Sequence, residues 1–272
     1  MDPVEVDLLA EAMRKTMTAA SGRVLDLALA ELGWPDLLAE FPDVAVPMAF
    51  RLLGETGAHA ALLNDVLLGA AGHPLGGTLP LPYAGGAWVV WDRSDRPGTT
   101  VDGDLPLRPV RAVRDADPVP LAVGRRALGW WLAGTGRAML ALARSHVMER
   151  IQFGRPLASF QAVRHRLAET LVALEGAEAT LLAAGASGGQ GESDEGLACL
   201  LAKAAAGQAA LTAARHCQQV LGGIGFTAEH GLNRHVRRAL VLDGLLGSAG
   251  ELTHEAGILL RKERSAPRLV HL

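Results

Sequence analysis

The sequence has 272 residues, 49% of them hydrophobic and 20% charged, with a formal net charge of -3. A chain of that size can bury about three quarters of its unfolded surface, so general disorder is excluded. The mild acidity and the alternating charge signs exclude nucleic acid or an anionic membrane as the main partner.

Residues 1–72 read as a helical domain. Val6, Leu9, Met13 and Met17 recur at helical spacing. A second helix is expected over 23–32, stopped by Gly33 and Pro35. A third is expected over 47–68, with Leu52, Leu53, Leu62, Leu63, Val66 and Leu67 as its apolar face. Residues 73–120 hold most of the prolines, which forbids long helices there. They read as a small β-region, clearest at Ala87–Trp91, with turn signals at Gly85-Gly86 and Pro97-Gly98.

Residues 121–272 read as a helical bundle, so the fold class is mainly α. Helices are expected over 121–149, 160–186, 195–221, 228–246 and 248–261, with an acidic, glycine-rich connector at 187–194. No apolar run approaches the ~20 residues of a membrane span, and no signal peptide opens the sequence. Cys199 and Cys217 have neither disulfide-framework nor zinc spacing, which suits a reduced, cytoplasmic compartment. Glu251-x-x-His254 is a single metal-type pair, where a di-iron bundle needs two, so no metal is expected. The P-loop and the G-x-G-x-x-G pattern are absent.

Two stretches carry more information. The first is Arg150-Ile-Gln-Phe153-Gly154-Arg-Pro156, followed by Phe160-Gln161. The second is Gln218-Gln219-Val-Leu221-Gly222-Gly223-Ile-Gly225-Phe226, followed by Arg234, Arg237 and Arg238. A guanidinium at a helix end can bind phosphate through charge-assisted, bidentate contacts. Gln161 opens a helix beside free amides, and adjacent glycines let a ligand approach the backbone. Phe153 and Phe160 offer flat apolar faces.

In order and spacing these stretches resemble the C-terminal domain of the acyl-CoA dehydrogenases. Leu32-Gly33-Trp34 and Leu53-Gly54-Glu55-Thr-Gly57 resemble the family's N-terminal helices more weakly. The resemblance implies a shortened N-terminal helical domain, a reduced β-region and a C-terminal bundle. It also implies FAD as cofactor and an acyl-CoA thioester as substrate, desaturated between Cα and Cβ. By the same resemblance Arg150, Phe153, Phe160, Gln161, Gln219, Leu221, Gly222 and Gly223 would touch FAD across a subunit interface.

The pattern breaks at the catalytic base. The family's glutamate, which precedes a Gly-Thr pair, corresponds to Leu246 before Gly247-Ser248. Some relatives place the base on the first bundle helix, and counting back from Arg150 lands that position on Gly124. Neither residue can take a proton. Asp243, three residues before Leu246, is the candidate substitute. The chain therefore resembles the short, non-catalytic subunit of heteromeric, steroid-CoA type acyl-CoA dehydrogenases. A full-length homologue would supply the glutamate, and a bulky acyl group such as a steroid side chain would be the substrate. Two alternatives stand beside this expectation. One is a homodimeric scaffold or ligand-binding protein that lost flavin. The other is an active homomeric oxidoreductase using Asp243.

Overall fold

A computed structural model of the chain describes residues 1–94, 100, 101, 103–111, 120–186 and 192–264. Five helices open it: α1 (Pro3–Ala19), α2 (Arg23–Glu31), α3 (Trp34–Glu40), α4 (Pro42–Thr56) and α5 (Leu62–Ala70). Asp2 starts α1 with a reciprocal capping box to Glu5. An antiparallel sheet follows in the order β1 (Pro80–Tyr83), β2 (Ala87–Trp91), β3 (Leu107–Val110). Then come α6 (Leu121–Glu149), a two-residue hairpin of β4 (Ile151–Gln152) and β5 (Arg155–Pro156), and α7 (Gln161–Ala186). The bundle is completed by α8 (Glu192–Leu221), α9 (Leu232–Gly244) and α10 (Ala249–Glu263).

One buried core joins all three regions, because Phe50 of α4, Trp91 of β2 and Trp131 of α6 meet at its centre. Trp131 receives Phe50 edge-on at 5.7 Å between ring centroids and Trp91 tilted at 5.4 Å. The α4–α6 crossing is nearly backbone on backbone. A Cβ on Gly54 would strike the α6 main chain, and one on Gly134 would strike the Arg51 carbonyl. The glycine of Leu53-Gly54-Glu55 thus sets how the first region docks on the bundle.

The helix expected over 47–68 is two helices. Gly57, at φ 68°, ends α4, and α5 restarts at Leu62. The break is held from far along the chain. Arg234 Nη2 donates to the Thr56 carbonyl at 3.0 Å and Arg238 Nη1 to the Ala58 carbonyl at 2.9 Å. Charged donors satisfy the helix-end carbonyls left without partners. The short α3 was not expected either: Pro35 stands in its first turn, where proline starts a helix as readily as it ends one.

Further along, α9 begins at Leu232, later than the 228 expected, because a 3-10 turn over Gly222–Phe226 intervenes. The Pro97-Gly98 turn and residues 187–191 of the expected connector lie outside the described residues, and α8 already begins at Glu192. Gly196–Phe226 is in fact long and apolar enough to cross a membrane by length and composition. However, 72% of its apolar window is buried inside the protein. The expectation of no such run failed because alanines and leucines, packed into the bundle, dominate this helix and outweigh its few polar residues.

Candidate functional site

The connection between α6 and α7 carries the first motif. Arg150 is the C-cap residue of α6 and is exposed there. Gln152 pairs with Arg155 across the hairpin, leaving Phe153 and Gly154 at its tip with φ of 54° and 75°. Two positive φ values are what a two-residue hairpin needs, and glycine supplies one of them at no cost. Phe153 supplies the other against its own Cβ, while 90% exposed. A strained turn that holds an apolar ring in solvent points to a contact made outside the chain. The Phe160 ring lies edge-on to Phe153 at 6.1 Å, with the Arg155 guanidinium 4.3 Å from its centroid.

The second motif comes to the same place. Leu221 closes α8, and Gly222 turns the chain at φ 66°. Gly222 and Gly223 are exposed, with no atom within 4 Å of where a Cβ would stand. Arg150, Leu221, Gly222 and Gly223 line one cavity of about 420 Å³ together with His146, Gln152 and Leu157. Sequence reasoning missed those last three. His146 lies one helical turn before Arg150, which was the available signal. Its ring faces His230 edge-on at 6.4 Å. Burial, then the nearby His230 and Arg150 charges, hold its pKa below the ordinary imidazole value.

The other expected contacts are near but outside this cavity. Phe153 and Phe160 form the hairpin pair beside it. Gln161 is exposed at the start of α7, its Nε2 3.4 Å from His165 Nε2, and Gln219 is exposed in the last turn of α8. An exposed guanidinium and open glycine backbone suit a multiply charged anion. The residues present fit the diphosphate of a dinucleotide such as FAD, with Arg150 and the Gly222-Gly223 backbone as the holding groups.

The two positions that the resemblance assigns to the base meet in space. Leu246 is 1% exposed, and a Cβ on Gly124 would lie 2.7 Å from both Leu246 Cδ1 and Leu67 Cδ2. The leucine therefore fills a notch in α6 that only glycine leaves open. Its amide donates to the Pro82 carbonyl at 2.8 Å, and Arg125 Nε donates to its carbonyl at 3.2 Å. Leu246 itself has φ 55°. This slot holds no ionisable side chain and is closed by hydrocarbon.

Asp243 is used differently. Its Oδ1 accepts the Ala249 amide at 3.1 Å and lies 4.0 Å from Lys203 Nζ. Lys203 is fully buried on α8 and donates to the carbonyls of Asp243 and Gly247, so it pins both ends of the turn that carries Leu246. Burial pushes its ammonium pKa down to about 8. Asp243 is thus the carboxylate that neutralises a structural lysine, a poor arrangement for a proton acceptor. Glu251, of the single metal-type pair, caps α10 through Ser248 and accepts the Gly85 amide. Both cysteines are buried thiols, and burial pushes Cys217 up to about 12.

The helical bundle, the Arg150 hairpin and the glycine turn define a domain of the acyl-CoA dehydrogenase type. Residues 118–250 match the family described as acyl-CoA dehydrogenase, C-terminal domain, and the chain belongs to the acyl-CoA dehydrogenase family. It is 34% identical over 227 residues to acyl-CoA dehydrogenase FadE34 of Mycobacterium tuberculosis, covering 77% of this chain and 31% of that protein. The chain spans less than half the length of the curated relatives it matches. Two solved structures share the fold along nearly the whole chain. One is the Tcur3481-Tcur3483 steroid ACAD G363A variant, with a TM-score of 0.78, 20% identity, and 96% of this chain and 99% of that one covered. The other is the ChsE4-ChsE5 complex from Mycobacterium tuberculosis, with a TM-score of 0.68, 17% identity, and 98% and 99% covered.

Proposed function

We propose that this chain is a subunit of a heteromeric, FAD-dependent acyl-CoA dehydrogenase that contributes cofactor contacts but no catalytic base. The observation that carries the reading is the pairing of Leu246 with Gly124: both places where the family puts its base are apolar and pack on each other. A carboxylate there would be desolvated against leucines, so the fold has been built around its absence.

The Arg150 cavity supports the other half of the reading. It is open and carries the Arg150 charge, and the exposed Phe153 ring stands on the hairpin beside it, as expected of a surface completed by a second chain. FAD, when bound, would accept the β-hydride of the acyl thioester. This chain's Arg150 would hold phosphate charge, the Gly222-Gly223 amides would approach the same group, and Phe153 would exclude water from the seam. The α-proton would go to a glutamate of a full-length homologue. The two similar structures named above each pair two proteins, Tcur3481 with Tcur3483 and ChsE4 with ChsE5, which favours a hetero-oligomer. The first of these is a steroid ACAD, which favours a steroid-type acyl-CoA as substrate.

The test is visible absorbance of the chain purified alone and co-purified with a full-length homologue. Flavin bands only in the co-purified sample are expected. A yellow lone chain that oxidises an acyl-CoA would overturn the proposal, and a colourless homodimer that ignores the homologue would replace it with a scaffold.

A further inference from the structure

A second cavity, of about 620 Å³, lies among α3, α4, α5, the start of α6 and the end of α7. Val46, Val66, Gly69 and Val123 contribute apolar wall, and Asp43 and Arg126 contribute a charged edge. It is separate from the Leu246 slot. Val123 and Arg126 stand one residue before and two after Gly124, so they point about 100° and 200° away from it around α6. Its size and mostly apolar lining fall within the roughly 300–1,000 Å³ range of small-molecule sites.

Arg126 decides the ligand class. Its Nη1 donates to Asp43 Oδ1 at 2.8 Å, and that partner's side chain is 78% exposed while the arginine's is 19% exposed. An ion pair with so exposed a partner is weak and exchangeable. Its Nε is buried and has no hydrogen-bond partner among the described residues. A buried charged donor left unpaired is costly unless something else fills the role. A Cβ on Gly185 would lie 2.8 Å from the Arg126 Cζ, so the glycine makes the room the guanidinium occupies. A guanidinium whose Nη1 is held only by that exchangeable pair suits the oxygens of a ligand carboxylate in Asp43's place.

We propose that this cavity binds an amphipathic carboxylate, with the apolar body among Val46, Val66 and Val123 and the head on Arg126. The probes are dodecanoate and its uncharged analogue dodecanol, titrated calorimetrically into the full chain. Dodecanoate is expected to bind once per chain, at least ten-fold tighter than dodecanol. Arg126→Met should abolish that preference. Ala70→Trp, at an exposed position on the cavity lip, should weaken both probes at least ten-fold. Asp43→Asn removes the competing anion from the surface and should tighten dodecanoate about three-fold, which keeps the proposal testable if Arg126→Met does not fold. Arg150→Ala should change neither affinity. Equal affinities, no binding by the folded chain, or binding that survives Ala70→Trp would overturn the proposal. So would sedimentation showing that Ala70→Trp dissociates an oligomer of this chain, since the cavity would then be an interface.

Discussion

The Leu246 slot and the Arg150 cavity have opposite characters. At the slot every neighbour closes in: Leu67, Gly124 and Leu246 interlock, and Lys203 clamps the turn behind them. At the cavity the backbone is bare, the guanidinium faces solvent and an aromatic ring is held outward by an unfavourable φ. On the proposed reading, a position without chemistry is free to become core, whereas a surface that serves a charged ligand or partner stays open.

Breaking the closed side should have the largest effect. Leu246→Glu would bury a carboxylate among leucines and is expected to cost about 4 kcal/mol or more, read from urea denaturation. A loss under about 1 kcal/mol would mean that the slot opens easily and could have housed a base. Breaking the open side should leave folding nearly untouched. Arg150→Ala is expected to change stability by less than about 0.5 kcal/mol, as for other exposed positions. Its flavin retention in the co-purified complex should fall by about ten- to a hundred-fold, the worth of a charge-assisted hydrogen bond.

The closed half should also carry the acid sensitivity. His59, beside the α4–α5 break, and His235, on α9, have pKa values pushed down from 6.5 to about 4, chiefly by burial and then by nearby arginines. The unfolded chain takes up their protons first as pH falls. Their contribution is therefore complete above pH 6.5, lost progressively toward pH 4 and constant below it. Each histidine contributes at most about 3 kcal/mol across that window. His59→Gln should flatten the corresponding part of the stability–pH curve, measured by thermal melts at several pH values.

The smallest effect sharpens the contrast. Phe153→Gly removes the Cβ penalty at positive φ and is expected to stabilise the isolated chain by about 0.5–1 kcal/mol. The same change should weaken association with the partner. Destabilisation of the lone chain would mean that the ring's packing on Phe160 outweighs the strain.

The sequence made α6 legible to the residue, because a proline precedes it and a Phe-Gly turn follows it. The break at Gly57 was not legible, since the apolar period runs through it and its stabilisers, Arg234 and Arg238, lie nearly 180 residues away. The motifs located Arg150, Leu221, Gly222 and Gly223, which share a cavity. They could not show that His146 of that cavity faces His230, because that pairing joins α6 to the segment before α9. Leu246 and Gly124 came from two separate counts along the chain. Only the fold shows that they touch.

The central claim is that this chain holds cofactor charge without supplying a base. It is tested most directly by adding an acyl-CoA anaerobically to the chain reconstituted with excess FAD, and to the chain co-purified with a full-length homologue. The account predicts bleaching of the flavin absorbance only in the complex. Bleaching by the lone chain would contradict it, by placing a working base among this chain's own residues.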